Sequence, residues 1–81
     1  MKASIEISMY PLNKEYGIPI LDFINRLNEY PDIVVKTNTM STQVFGDYLQ
    51  LMEIVTKEMQ ATFEQDNTTV MVMKVVNADL R

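Results

Sequence analysis

Apolar residues along this chain follow two different periods, and the switches between them mark six elements. From Ala3 to Tyr10 the period is two: Ala3, Ile5, Ile7 and Met9 fall on one side, and Ser4, Glu6, Ser8 and Tyr10 on the other. Successive strand side chains point to opposite faces, so this segment predicts a strand with one buried face. Pro11 ends it, because proline cannot donate to a ladder. Leu12 to Gly17 reads as a loop. Ile20, Phe23, Ile24 and Leu27 then recur at helical spacing, with Asp22, Asn25, Arg26 and Asn28 off the stripe. Pro19 suits a first turn and Tyr30-Pro31 a stop, which predicts a helix over 18–29.

Asp32 to Thr39 is rich in β-branched residues and predicts a second strand. Thr42 to Phe45 predicts a third, joined to it through Met40-Ser41, although no Asn-Gly or Asp-Gly pair marks the turn. Asp47 is a suitable helix N-cap, and Gln50 stands three residues later, as a capping box requires. Tyr48, Met52, Val55, Met59 and Phe63, with Leu51 and Thr62 beside them, predict a helix over 48–64. The polar stretch from Gln65 to Thr68 carries a turn signal at Asp66-Asn67. Thr69 to Val76 predicts a fourth strand that is apolar on both faces apart from Lys74, so both faces should be covered. Helices can cover one; a second subunit is the simplest cover for the other. Asn77 to Arg81 reads as a tail.

The order β-α-β-β-α-β predicts an α+β domain of ferredoxin-like topology: an antiparallel four-stranded sheet with two helices on one face. The 81 residues suffice for a single domain over 1–81. A core of this size is marginal, which favours association through a second apolar surface.

Composition narrows the chemistry. With no Cys and no His, the chain lacks disulfides, thiolate metal ligands, a Cys nucleophile, the commonest general base and the usual transition-metal ligand. Catalysis would rest on carboxylates, Lys or hydroxyls in no recognisable pairing. The Leu12 to Gly17 loop has Lys14 but no Arg and no Gly-rich phosphate cradle. Neither an enzyme nor a metal site is expected. The net charge is −4, and the seven Lys and Arg residues are scattered, so nucleic acid is not an expected partner. No apolar run is long enough to span a bilayer, and Met1-Lys2-Ala3 leads straight into a strand rather than a signal-peptide core. A cytoplasmic location, without membrane partners, is the expectation.

Two stretches carry a more specific signal. Ile5-Glu6-Ile7-Ser8-Met9-Tyr10-Pro11-Leu12 is a strand ending in Tyr-Pro-Leu. Met40-Ser41-Thr42-Gln43-Val44-Phe45-Gly46-Asp47 is a Ser-Thr-x-x-x-Gly-Asp run opening a helix. In this order and spacing they resemble the YkoF-like thiamine-binding family, and the resemblance covers nearly the whole chain. It implies a ferredoxin-like fold, association through sheet faces, and binding of thiamine or its hydroxymethylpyrimidine part, with no cofactor beyond that ligand. Founding members carry two such domains in tandem where this chain has one. The resemblance therefore implies a homodimer or a dimer of dimers. Ser41 and Phe45 depart from the Gly and the acidic residue often found in related single-domain sequences.

Six residues are candidates for ligand contact, each with a plainer role beside it. Glu6, mid-strand and opposite the Ile5/Ile7 side, could accept from an aminopyrimidine or simply face water. Ser41 and Thr42 could bond a heterocycle or its hydroxymethyl group, or serve the turn. Asn38 offers a donor and an acceptor to a pyrimidine edge or to solvent. Tyr10 could stack on a ring or pack at the strand end, and Met40 adjoins the hydroxyl pair. The alternative to a heterocycle binder is a ligand-sensing or purely structural oligomerisation module of the same topology.

Overall fold

Six elements form in the predicted order: β1 (Lys2–Pro11), α1 (Gly17–Leu27), β2 (Val34–Thr37), β3 (Thr42–Asp47), α2 (Tyr48–Phe63) and β4 (Thr69–Val76). They come from a computed structural model that describes residues 1–65 and 68–81, so the Asp66-Asn67 turn signal lies outside the described residues. The strands form one antiparallel sheet in the order β2-β3-β1-β4. The two crossovers place both helices against the same face, where Ala3, Ile5, Ile7 and Val44 meet Phe23, Leu27, Leu51, Ile54 and Val55 in a single core. This is the ferredoxin-like α+β arrangement.

The register confirms the period-two reading of β1. Ile5 stands opposite Val44 and Val75, and Ile7 opposite Thr42 and Met73, all on the helix side. Ser4, Glu6, Ser8 and Tyr10 lie on the open side, facing Phe45, Gln43, Lys74, Val72 and Val70 along the neighbouring strands. β3 runs on to Asp47, two residues past its expected end, and α1 ends two residues early at Leu27. β2 spans Val34–Thr37 rather than 32–39, because Asp32 is held in a turn by the Gln50 side chain (3.2 Å) and Thr39 belongs to the hairpin tip. That bond also takes away half of the expected capping box. Asp47 Oδ2 accepts from the Gln50 N–H (3.3 Å), but the Gln50 amide turns outward instead of back.

The buried stripe of α2 is rotated from the predicted one. Leu51, Ile54, Val55, Glu58 and Thr62 are buried, while Phe63 is 47% exposed. The cause is a polar cluster between the helices. Glu58 Oε1 accepts from Arg26 Nε (2.8 Å), and Glu58 Oε2 accepts from the Tyr30 hydroxyl. Arg26 Nη2 also donates to the Glu58 carbonyl (3.1 Å) and to Thr62 Oγ1 (2.7 Å). A buried carboxylate with this many donors turns its helix face inward as an apolar residue would.

The tail does not trail into solvent. It folds across the open sheet face as a strap over β1. Ser4 Oγ donates to the Ala78 carbonyl (2.6 Å) and accepts from the Leu80 N–H (2.9 Å). Leu80 thus joins Phe45 and Val76 around a small hollow of about 200 Å³. Phe45 is only 3% exposed, with the Lys36 ammonium 5.7 Å from its ring centroid. Ser4→Ala removes both anchors of the strap. Its expected cost is about 1–2 kcal/mol, read from urea unfolding, with faster hydrogen exchange at the Leu80 amide as the local signature.

Candidate functional site

A notch in the sheet builds the site. The β1–β3 ladder stops at the Ile7–Thr42 pair, whereas the β1–β4 ladder runs on to Pro11–Thr69. Ser8 to Pro11 therefore overhang the β2–β3 hairpin, and its turn lies beside the overhang. That turn needs no left-handed residue: none of the described residues has positive φ. A primed two-residue hairpin would require it. Instead the Asn38 N–H donates to the Ser41 carbonyl (3.1 Å), and Asn38 Oδ1 accepts from the Met40 and Ser41 N–H groups (2.8 and 2.9 Å). The side-chain oxygen stands in for a main-chain acceptor, which is the ordinary use of Asn in turns.

Between the overhang, the turn and α1 lies a cavity of about 440 Å³. Its walls are apolar: Ile7, Met9 and Pro11 from β1, and Ile20 and Ile24 from α1. Its polar end is the hairpin, with Asn38, Thr39, Ser41 and Thr42, and Tyr10 and Tyr16 stand among its lining residues. Five of the six candidate residues, Tyr10, Asn38, Met40, Ser41 and Thr42, thus surround one space. Asn38 enters with its side-chain oxygen already committed to the turn.

Glu6 does not line this cavity. It lies on the open face, beside the smaller hollow under Leu80. Ser41 links the two, its hydroxyl donating to Glu6 Oε2 at 3.0 Å. Hydrogen bonds from Ser41 and Gln43 hold the Glu6 carboxyl below its usual range against the opposing effect of desolvation, and Lys74 Nζ, 3.6 Å from Oε1, adds to the lowering. Glu6 is thus an ionised, acceptor-only group. The Ser41 proton is committed to it, leaving the Ser41 oxygen free to accept.

Ile20 and Ile24 were legible as a helical stripe but not as cavity lining. The signal was the excess of that stripe over its core: Phe23 and Leu27 are fully buried, whereas Ile20 and Ile24 are only half-buried. Tyr16, just ahead of the helix, carried no periodic signal. Among the described residues, no cluster of three His, Cys, Asp or Glu could hold a metal ion, and no helix is long and apolar enough to cross a membrane.

The class these features define is the ferredoxin-like domain, here with a notch at one sheet end. Solved structures of the same fold extend over almost the whole chain. A Streptococcus pneumoniae protein superposes with a TM-score of 0.88 at 20% identity, over 99% of this chain and 90% of its own. A candidate thiamine biosynthesis/salvage protein of Thermotoga maritima gives 0.83 at 14% identity, over 100% of this chain and 85% of its own. A Bacillus cereus domain of unknown function, DUF77, gives 0.80 at 14% identity, over 99% and 79%. These likenesses establish the fold. No family model and no curated protein matches the sequence.

Proposed function

We propose that this chain is a non-catalytic, cytoplasmic, homo-oligomeric binding module for thiamine or its hydroxymethylpyrimidine part. The observation that carries the reading is the notch cavity of about 440 Å³, which gathers Tyr10, Asn38, Met40, Ser41 and Thr42 around one space. Its volume lies in the range of small-molecule sites, and its make-up, apolar walls with a few polar groups at one end, is theirs too. A flat ring between Met9 and the isoleucines of α1 would place its polar substituents at the hairpin. The cationic thiazolium of thiamine suits a chain of net charge −4. The fold shared with a candidate thiamine salvage protein supports the choice of ligand class.

Calorimetric titration with thiamine and with hydroxymethylpyrimidine tests this directly. Binding heat and a raised melting temperature are expected. No heat and no thermal shift at millimolar ligand would overturn the reading. A second reading, a purely structural oligomerisation module, draws on the open face of β4, where Val70, Val72 and Val76 are 46%, 52% and 39% exposed. An apolar row of this kind is a candidate for covering by a second copy. Sedimentation with and without ligand separates the two: ligand-independent association with no binding heat favours the scaffold.

A further inference from the structure

The overhang of β1 has a direction that the side chains do not reveal. The Leu12 N–H donates to the Thr68 carbonyl on the β4 side (2.9 Å), and the Met1 carbonyl accepts from the Tyr48 N–H on the β3 side (2.8 Å). The register of β1 is unbroken from Lys2 to Ile7 against β3 and from Ser4 to Pro11 against β4. Peptide groups alternate sides along a strand. The even-numbered residues of β1 therefore turn their N–H and C=O groups to β4, and the odd-numbered ones turn theirs to β3. Past Ile7 there is no β3 residue to meet them. Pro11 has no N–H to offer. Met9 is left with one donor and one acceptor directed into the notch, and neither has a partner among the described residues. Met9 also lines the cavity.

We propose that the main-chain N–H and C=O of Met9 are the recognition element of this cavity, and that they select a heterocycle whose edge carries an acceptor ring nitrogen beside an exocyclic amino group. The proposal rests on the binding reading above and names the feature of the ligand that is read. A single strand residue presents its donor and acceptor on the same side, and an aminopyrimidine edge offers the complementary pair. An unpaired peptide group in a half-enclosed apolar site is costly to leave unsatisfied. A ligand that completes the ladder at this point gains both bonds, whereas a ring without the amino group gains one. The Ser41 oxygen, its proton drawn to Glu6, adds an acceptor nearby for a further ligand donor such as a hydroxymethyl group.

The test uses the full chain and two probes: hydroxymethylpyrimidine, and the same pyrimidine with its amino group replaced by hydrogen. The wild type should bind the first about tenfold or more tightly than the second. The Met9 amide resonance should move downfield and its hydrogen exchange should slow on saturation. Met9→Pro deletes the donor facing the notch together with the Met9 side chain, and spares the β1–β4 bonds, which belong to the even-numbered residues. It should weaken binding by about tenfold relative to Met9→Ala, which also shortens the side chain but keeps the donor. Should Met9→Pro fail to fold, the wild-type amide signal decides. Equal affinity for both pyrimidines with an unmoved Met9 amide would overturn this proposal and leave the binding reading standing. No heat with either would overturn both.

Discussion

Glu58→Ala is expected to lower the unfolding free energy by about 3 kcal/mol, enough to leave so small a domain barely folded. The side chain is 8% exposed and its partner Arg26 26%, so little solvent screens the pair. Removing the carboxylate strands two donors at once, Arg26 Nε and the Tyr30 hydroxyl, and leaves the half-buried guanidinium without a counter-charge. Glu58→Gln keeps the volume and one acceptor and should cost about half as much. The same cluster sets an acid limit. Burial pushes the Glu58 carboxyl up, but the hydrogen bonds from Tyr30 and Arg26 outweigh it, and the net shift is down. A carboxyl whose folded pKa is depressed contributes stability above its unfolded pKa and loses it as pH falls through the folded value. Urea midpoints should therefore drop steeply below the ordinary carboxylate range in the wild type and more shallowly in Glu58→Gln. At the other extreme the Tyr30 phenol is pushed up by its bond to Glu58, so its contribution holds below the ordinary phenol pKa and fades as pH rises through the raised one.

Phe23→Ala is the second large effect, with an expected loss of about 4 kcal/mol. Phe23 is 1% exposed and is the largest fully buried side chain in the core. It is also a principal anchor of α1, whose other buried positions are Pro19 and Leu27. The consequence reaches beyond stability, because the same helix supplies Ile20 and Ile24 to the notch. A loosened α1 should blur that wall, so ligand affinity should fall even under conditions where most molecules stay folded. Urea unfolding reads the first effect, and titration at low temperature the second. Full affinity in a destabilised but folded variant would show that α1 is not part of the site.

The architecture was legible because each element carried its own period. Ala3, Ile5, Ile7 and Met9 could only be one face of a strand, and the caps and prolines set the helices to within two residues. The α2 face was misread because Glu58 scores as polar in any period count. Only the partners Arg26 and Tyr30, about thirty residues away, make it an inward residue. The strap was invisible for a similar reason. Two hydrogen bonds between Ser4 and residues 78 and 80 leave no trace in local pattern. The candidate residues fared unevenly. Ser41, Thr42 and Met40 come together because the hairpin tip is short and close to β1. Glu6 reaches Ser41 but stays outside the cavity, since period two sends Glu6 and Ile7 to opposite sides of the sheet. The notch itself follows from a difference in ladder lengths, which no single segment encodes.

The overhang of β1 also bears on whether strands of two copies could pair there. A bare strand margin invites another chain to zip onto it, and longer margins do so more readily. Here the exposed stretch presents a single peptide donor before the proline ring interrupts it and the hairpin tip closes in from the side. Such a margin is too short to seed an intermolecular sheet. Lengthening it, by replacing Pro11 with a residue that restores a donor, should favour edge-to-edge pairing, read as concentration-dependent association in sedimentation.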